Sequence, residues 1–403
     1  MSRSGLATHR EPAVLAGVLI SLSLALPCGV PAVPSDPRAA LTEVQQLIEK
    51  GEYTTARNRV LQALKKFPNE SALYNFLGVV EVQSGDYRAA EADFRKAIDL
   101  APQFTGAYLN LGCLLQEHAD QIPRAPKKAL EAYQRLLKHE PGNVEANYQS
   151  AYLLQLQGSY PSSLEHLARL PADVQGRAQA LAVRCADYAG LNDRARTESA
   201  EEELARSADL TEAEVVSILP TLEKNQRPDL AIKLFAALAG RNLASVSALY
   251  RLGLLYERHG ELKLARETLE KVGQQQPSSV PLLVELGRIA DRQGDHKGAL
   301  GYLAHALDLD PQNASVHFFF GMVCVKEDLA EEAYRSLKKA TALDPNNPYY
   351  DYAFASVAMT RQDANESIIY FRKYVEPKPD DPRGRFALGA SYFYNHNDEL
   401  APR

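Results

Sequence analysis

Nine histidines, four cysteines and the run Glu201-Glu202-Glu203 are the side chains of this 403-residue sequence that first suggest ligands, nucleophiles or proton carriers. A zinc hydrolase places two histidines one helical turn apart so that both imidazoles reach one ion. No HExxH occurs, and no two histidines stand four residues apart on a shared helix face. His296 and His305 are expected on different helices. GxSxG, a phosphate-cradling glycine loop and a dinucleotide fingerprint are also missing. Glu201-Glu202-Glu203 reads as a solvated helix face, and other paired carboxylates occur at the density of ordinary surface helices. Cys113, Cys185 and Cys324 are far apart, show no CxxC spacing and each lie in an apolar helical pattern, so they read as buried free thiols. The chain is therefore read as non-catalytic, with no metal and no cofactor.

Composition narrows the partners. Hydrophobic residues make up 45% of the chain and charged residues 24%, as in a soluble folded protein. The net charge of −6 is spread in both signs, which excludes the one-sided basic surface that nucleic acid requires.

Periodicity supplies the elements. In residues 71–104, Leu73, Leu77 and Val80 and then Phe94, Ala97 and Ile98 recur at helical spacing. Between the two helices, Gly85 suits a left-handed helix end and Asp86 an N-cap. Pro102 stops the second helix. Gly78 and Ala90 are small, so the two backbones approach closely while Tyr74, Leu77, Tyr87, Phe94 and Ala97 fill the space around them. Such a hairpin cannot bury its apolar face alone.

Tyr74-x2-Leu77-Gly78, Gly85, Tyr87, Ala90-x3-Phe94, Ala97 and Pro102 resemble the tetratricopeptide repeat, a unit of 34 residues. Tyr74 stands where the family usually has Trp, and Glu81 where it has Tyr. Gly51, Tyr53, Ala56, Ala63 and Pro68 fill the same slots one unit earlier. Tyr108, Leu111, Gly112, Ala129, Tyr133 and Pro141 follow, with about five extra residues in the turn. Four further units start near residues 246, 280, 314 and 348, marked by Leu252-Gly253, Leu286-Gly287, Phe320-Gly321 and Phe354-Ala355. Leu388-Gly389 opens another. From Pro171 to Asn242 the signature fades. Gly190, Ala195, Ala231 and Phe235 are read as in register, and two more helix pairs fit there. About ten and a half units result from Pro37 onward.

The expected fold is all-α: a right-handed superhelical solenoid of stacked antiparallel hairpins. Its sections are 1–32, a signal peptide; 33–36, a linker; 37–175, an N-terminal array; 176–245, degenerate pairs; and 246–403, a C-terminal array whose last repeat is incomplete. The leader rests on Arg3, His9 and Arg10 ahead of the uncharged run Ala13 to Leu26, too short to span a bilayer comfortably, and on small residues allowing cleavage after Ala32. An uncleaved anchor through residues 13–26 is the alternative. Lipidation at Cys28 is disfavoured by Pro27. The protein is thus expected to be exported, periplasmic or extracellular. Phe386, Leu388, Tyr392 and Phe393 would lie exposed on an unpaired last helix, so continuation past Arg403 is expected.

The resemblance implies that the second, fifth, ninth and twelfth positions of each unit line a concave groove that takes a partner polypeptide. Toward the N-terminus these are Asn75, Val79, Leu109, Cys113, Glu145, Tyr148, Tyr152 and Gln155. Toward the C-terminus they are Tyr250, Leu254, Glu257, Val284, Arg288, Asp291, Phe318, Met322, Tyr349, Tyr352, Met359 and Phe386. The Tyr, Phe and Met content of the C-terminal strip suits a peptide or helix. Asn75 and Asn110 resemble part of a carboxylate clamp whose basic members are missing, so that role is not carried over. Three functions follow: a protein-binding scaffold in envelope assembly or secretion; the regulatory part of a larger enzyme or polysaccharide-export machine; and a self-assembling rod.

Overall fold

In the computed structural model of the protein, residues 36–394 are described; the signal-peptide reading and the chain after Tyr394 lie outside them. Among the described residues all regular structure is helical. In chain order the helices are α1 Pro37–Glu49, α2 Tyr53–Lys66, α3 Ser71–Gln83, α4 Tyr87–Leu100, α5 Thr105–Glu117, α6 Ala125–His139, α7 Val144–Gln157, α8 Tyr160–Leu167, α9 Ala172–Gln175, α10 Ala178–Gly190 and α11 Arg194–Arg206. Then come α12 Glu212–Lys224, α13 Pro228–Gly240, α14 Val246–Arg258, α15 Leu262–Gln275, α16 Val280–Arg292, α17 His296–Leu309, α18 Ala314–Lys326, α19 Ala330–Leu343, α20 Pro348–Thr360, α21 Ala364–Val375 and α22 Pro382–Tyr394. Ten hairpins and the opening helix of an eleventh are thus present, with the short α9 inserted after a shortened α8.

The register is strict. The first helices of successive hairpins begin 34 residues apart, from Pro37 to Thr105 and again from Val144 to Pro382. The single offset falls where α5 and α6 are joined by the longer turn. The turn residue between the two helices adopts positive φ at Gly51, Gly85, Gly158, Gly260 and Gly294. Asn192 (φ 56°), Gln226 (φ 55°), Asp328 (φ 55°) and Gln362 (φ 64°) take the same left-handed conformation in the other short turns, and Arg124 (φ 58°) takes it at the end of the longer α5–α6 turn. A left-handed residue is what lets the chain leave one helix and re-enter antiparallel within three residues. In the short turns four side chains therefore do what glycine does more easily.

Close approach follows. A methyl group added at Gly78 would stand 2.7 Å from the Phe94 ring, and one at Gly321 2.7 Å from Leu337, so these first helices have room only for hydrogen there. Behind these contacts Phe94 and Tyr133 share one core, Leu73 lies in the core of α1–α3, and Phe354 and Phe371 lie in separate cores of the later hairpins.

Three sequence readings need correction. Gly190 is the last residue of α10 and Ala195 lies inside α11; the slots they were given belong to Asn192 and to the fully buried Thr197. His296 and His305 share α17, nine residues apart and so on opposite sides of it. Glu201 is buried, only 7% exposed, because it occupies the slot that Phe94 fills in α4; Glu202 and Glu203 are exposed as expected.

The contacts divide the chain into two compact units. One holds the described residues up to Leu210 with Ser217–Gln226; the other holds Thr211–Val216 and the described residues from Arg227.

Candidate interaction surfaces

In the first unit three of the inner positions are consumed by the array. Asn75 is 9% exposed, and its Oδ1 accepts a hydrogen bond from Asn110 Nδ2 at 2.9 Å, which ties α3 to α5. Leu109 is buried in the same core as Leu111 and Leu114, and Gln155 is wholly buried. These three were expected on the wet face; the neighbouring helix covers or bonds them instead. Tyr148 and Tyr152 are half-buried against the core of Ala151, Leu167, Leu170, Ala180 and Val183.

Beside these rings and the half-buried Val79, the accessible groups are polar. Gln116 Nε2 donates to Gln149 Oε1 at 2.9 Å, Gln149 Nε2 donates to Glu145 Oε1 at 2.7 Å, and Tyr133 Oη donates to Gln116 Oε1 at 2.6 Å. Cys113 is half-buried, not sealed in the core. It lines a cleft of about 30 Å³ with Val79, Asn110 and Glu117, room for little more than a water molecule. Burial, with the Glu117 carboxylate beside it, pushes the Cys113 thiol up to about 12. The thiol donates to Glu117 and is no nucleophile.

The first unit also buries a lone acid. Asp187 is fully buried and neither oxygen has a hydrogen-bond partner. Burial pushes its carboxyl up to about 8, and Ser163 opposes this only in part. The Ser163 hydroxyl proton goes to the Ala151 carbonyl at 2.8 Å.

In the second unit none of the expected inner positions is fully buried. Tyr250, Leu254, Arg288, Phe318, Met322 and Tyr352 are half-buried; Tyr349 is 61% and Phe386 79% exposed. The rings are set in place by other rings. Phe318 stacks on Tyr350 with centroids 4.8 Å apart and meets Phe319 edge-on at 5.3 Å. Tyr352 stands edge-on to the buried Phe371 at 5.4 Å. Each of these two aromatics packs against two other rings, Tyr352 also against Tyr374 at 4.9 Å, and keeps part of its surface, the arrangement that gives large contact area at low ordering cost.

Cations sit on this surface at two points. Lys378 Nζ lies 3.7 Å from the Tyr349 centroid, and the Arg288 guanidinium lies 5.5 Å from that of Phe319 while holding Glu285 at 2.9 Å. The acids expected in the groove are matched by the residue after the twelfth position of the following first helix. Arg292 pairs with Glu257, and Lys326 Nζ pairs with Asp291 at 2.7 Å. His296 Nδ1 also meets Asp291 at 3.1 Å. These cations were missed because only four positions per unit were read; the thirteenth position, basic in α14, α16 and α18, carries the signal.

The last described helix matches its expectation in part. Phe386 and Phe393 are exposed, whereas Leu388 is half-buried and Tyr392 is buried, with Arg372 Nε donating to its oxygen at 2.5 Å. Among the described residues no group of three or more His, Cys, Asp or Glu gathers where a metal ion could sit. No helix among them is long and apolar enough to cross a membrane.

Two family profiles, both described as tetratricopeptide repeat, match residues 41–104 and 220–280, and 122–185 and 292–356. None of the curated proteins matches the sequence. Among solved structures, MamA (residue 41 to the end) from Desulfovibrio magneticus RS-1 is 18% identical, with 42% of this chain and 95% of that chain covered and a TM-score of 0.38. TTC0263, a thermophilic TPR protein of Thermus thermophilus, is 24% identical over 43% of this chain and 94% of its own, at 0.34. The Cut9-Hcn1 hetero-tetramer of the APC/C is 13% identical over 88% and 90%, at 0.38. Scores this low bear on nothing that the chain binds. The matched segments together cover more than half of the sequence, fall on the hairpins just described and include part of the faded middle, so the chain belongs to the tetratricopeptide repeat family.

Proposed function

We propose that this interaction scaffold is non-catalytic and grips a partner polypeptide through the inner face of its second unit. The observation that carries the reading is the series Tyr250, Phe318, Tyr352 and Phe386. All occupy the fifth position of their repeats and keep accessible surface, and Phe318 and Tyr352 are backed by packed rings. The fixed acids beside them pair with cations of the scaffold itself. The surface left to a partner is thus aromatic and thioether, suited to the apolar side of a helix or extended segment.

Site-specific photo-crosslinking tests this. A photoreactive residue at Met322 or Tyr349 should capture one discrete polypeptide in the native cell, and the same probe at the exposed Lys339 of α19 should not. Equal capture from both sides would sink the reading.

The order of residues 3–32 supports work outside the cytoplasm, in envelope assembly or secretion. A mature protein beginning at Val33 is expected, and N-terminal sequencing checks it.

A further inference from the structure

The second hairpin hides an acid that belongs neither to a core nor to a groove. Glu81, on α3, is 5% exposed and takes the slot where the repeat ordinarily carries an aromatic ring. Asp93, on α4, lies within side-chain hydrogen-bonding reach of it, and Glu81 Oε2 is buried without any other partner. Two carboxyl groups make a hydrogen bond only when one of them holds a proton. Arg57 of α2 approaches from the first hairpin, its Nη2 3.6 Å from Glu81 Oε1, and is half exposed to water.

Several charged groups on the packed neighbours have partners of their own. On α1, Glu49 accepts from Gln45, and Glu43 accepts from Arg59 of α2. On α5, Glu117 accepts from Cys113. Asp86, the N-cap of α4, accepts from the Ala89 amide and adds a further negative charge near the pair. Arg57 is left as the cation that acts on both carboxyls, and it is the member in contact with solvent.

We propose that Glu81, Asp93 and Arg57 form a proton-held latch, closed while the two carboxyls share a proton and loosened when that proton leaves, which couples the seating of α3 to pH. The consequence reaches the inner face. Val82 and Gln83, next to Glu81, and Phe94, next to Asp93, line the small cleft shared with Asn110 and Cys113. A shift of α3 therefore reshapes that cleft. The latch does not depend on the partner reading of the second unit.

The direction follows from linkage. Burial first, then the hydrogen bond and charge of Asp93, raise the Glu81 carboxyl from 4.5 to about 7; Arg57 opposes this. In an opened hairpin the carboxyl faces water and regains its ordinary value. The closed form thus holds more protons than the open form between about 4.5 and about 7, and its advantage falls across that window as pH rises.

Hydrogen exchange on the full chain tests the latch, with amide protection in α3 and α4 normalised for intrinsic rate. Protection should fall by up to about tenfold per pH unit from pH 5 to 7 and level off above. Glu81→Gln should flatten that slope. Arg57→Ala, a change at an exposed residue that leaves packing intact, should carry the fall to higher pH. Carbon-13 spectra of glutamate-labelled protein should show one carboxyl titrating near neutrality, absent in Glu81→Gln. A slope identical in wild type and Glu81→Gln, or no glutamate titrating above pH 6, would overturn the latch. Asp93→Asn serves as the second variant should Glu81→Gln misfold, and it too should lessen the slope.

Discussion

At the fifth and ninth repeat positions α3, α5 and α7 of the first unit carry Asn75, Leu109, Tyr148 and Val79, Cys113, Tyr152, and the second unit carries Tyr250, Phe318, Met322 and Tyr352 among others. The backbone register is the same, yet Asn75 and Leu109 are bonded or packed away, whereas Tyr148, Tyr152 and the second set keep surface. Side-chain size explains much of the contrast. Asn75 and Asn110 are short enough to satisfy each other across adjacent helices. A tyrosine or phenylalanine at the same place cannot be swallowed between two first helices; it packs part of its surface and leaves the rest outward. Inner-face chemistry is thus chosen repeat by repeat, with no change to the solenoid that presents it.

The comparison can be broken hardest from behind the aromatic row. Phe371 is fully buried and backs Tyr352. Phe371→Ala should cost about 3–5 kcal/mol in denaturant unfolding and weaken partner capture with it. If capture survives unchanged, the row does not depend on its packing.

Asp187→Asn comes next. Its raised carboxyl means that the folded chain binds more protons than the unfolded one between 3.8 and about 8, so wild-type stability falls as pH rises through that range. The variant should melt several degrees higher at pH 8, with the gain shrinking toward pH 5. A constant difference at all pH values would mean that Asp187 is not the titrating group.

Phe318→Ala with Tyr352→Ala should lower affinity for a captured partner by about 30-fold, the scale of one interface hot spot, in isothermal titration. Tyr148→Ala, in the first unit, should leave it within twofold. Similar losses from both would erase the contrast between the units.

A smaller effect concerns the hairpins themselves. A methyl group at Gly112 meets the ring of Tyr133, so Gly112→Ala should destabilise by about 1–3 kcal/mol by thermal melting. Smallest, Gln226→Gly should stabilise by about 1 kcal/mol by relieving a left-handed side-chain residue, whereas the same change at a helical site lowers stability.

The faded middle shows what a pattern reader loses. Gly78, Gly85 and Phe94 advertise their hairpin because a close approach, a left-handed turn and a filled core each select one residue type. In the fifth and sixth hairpins Asn192 and Gln226 make the turn, and Thr197 and Glu201 take small and aromatic slots. The geometry is unchanged but its usual residues are absent. Counting 34 residues from Gly158 finds both turns; searching for glycine led to Gly190 instead. The latch acid was visible only as an exception, a glutamate where a ring belongs. Its partner Asp93 stands twelve residues away, outside any local pattern.

The sequence by itself determined the helices, their pairing and their period, because each of those rests on contacts within about 34 residues that recur down the chain. Only the tertiary structure decided which inner positions stay open, which charges cancel and which acids are buried. Those outcomes depend on what the neighbouring repeat places opposite each side chain, and a repeating pattern does not specify its own neighbour.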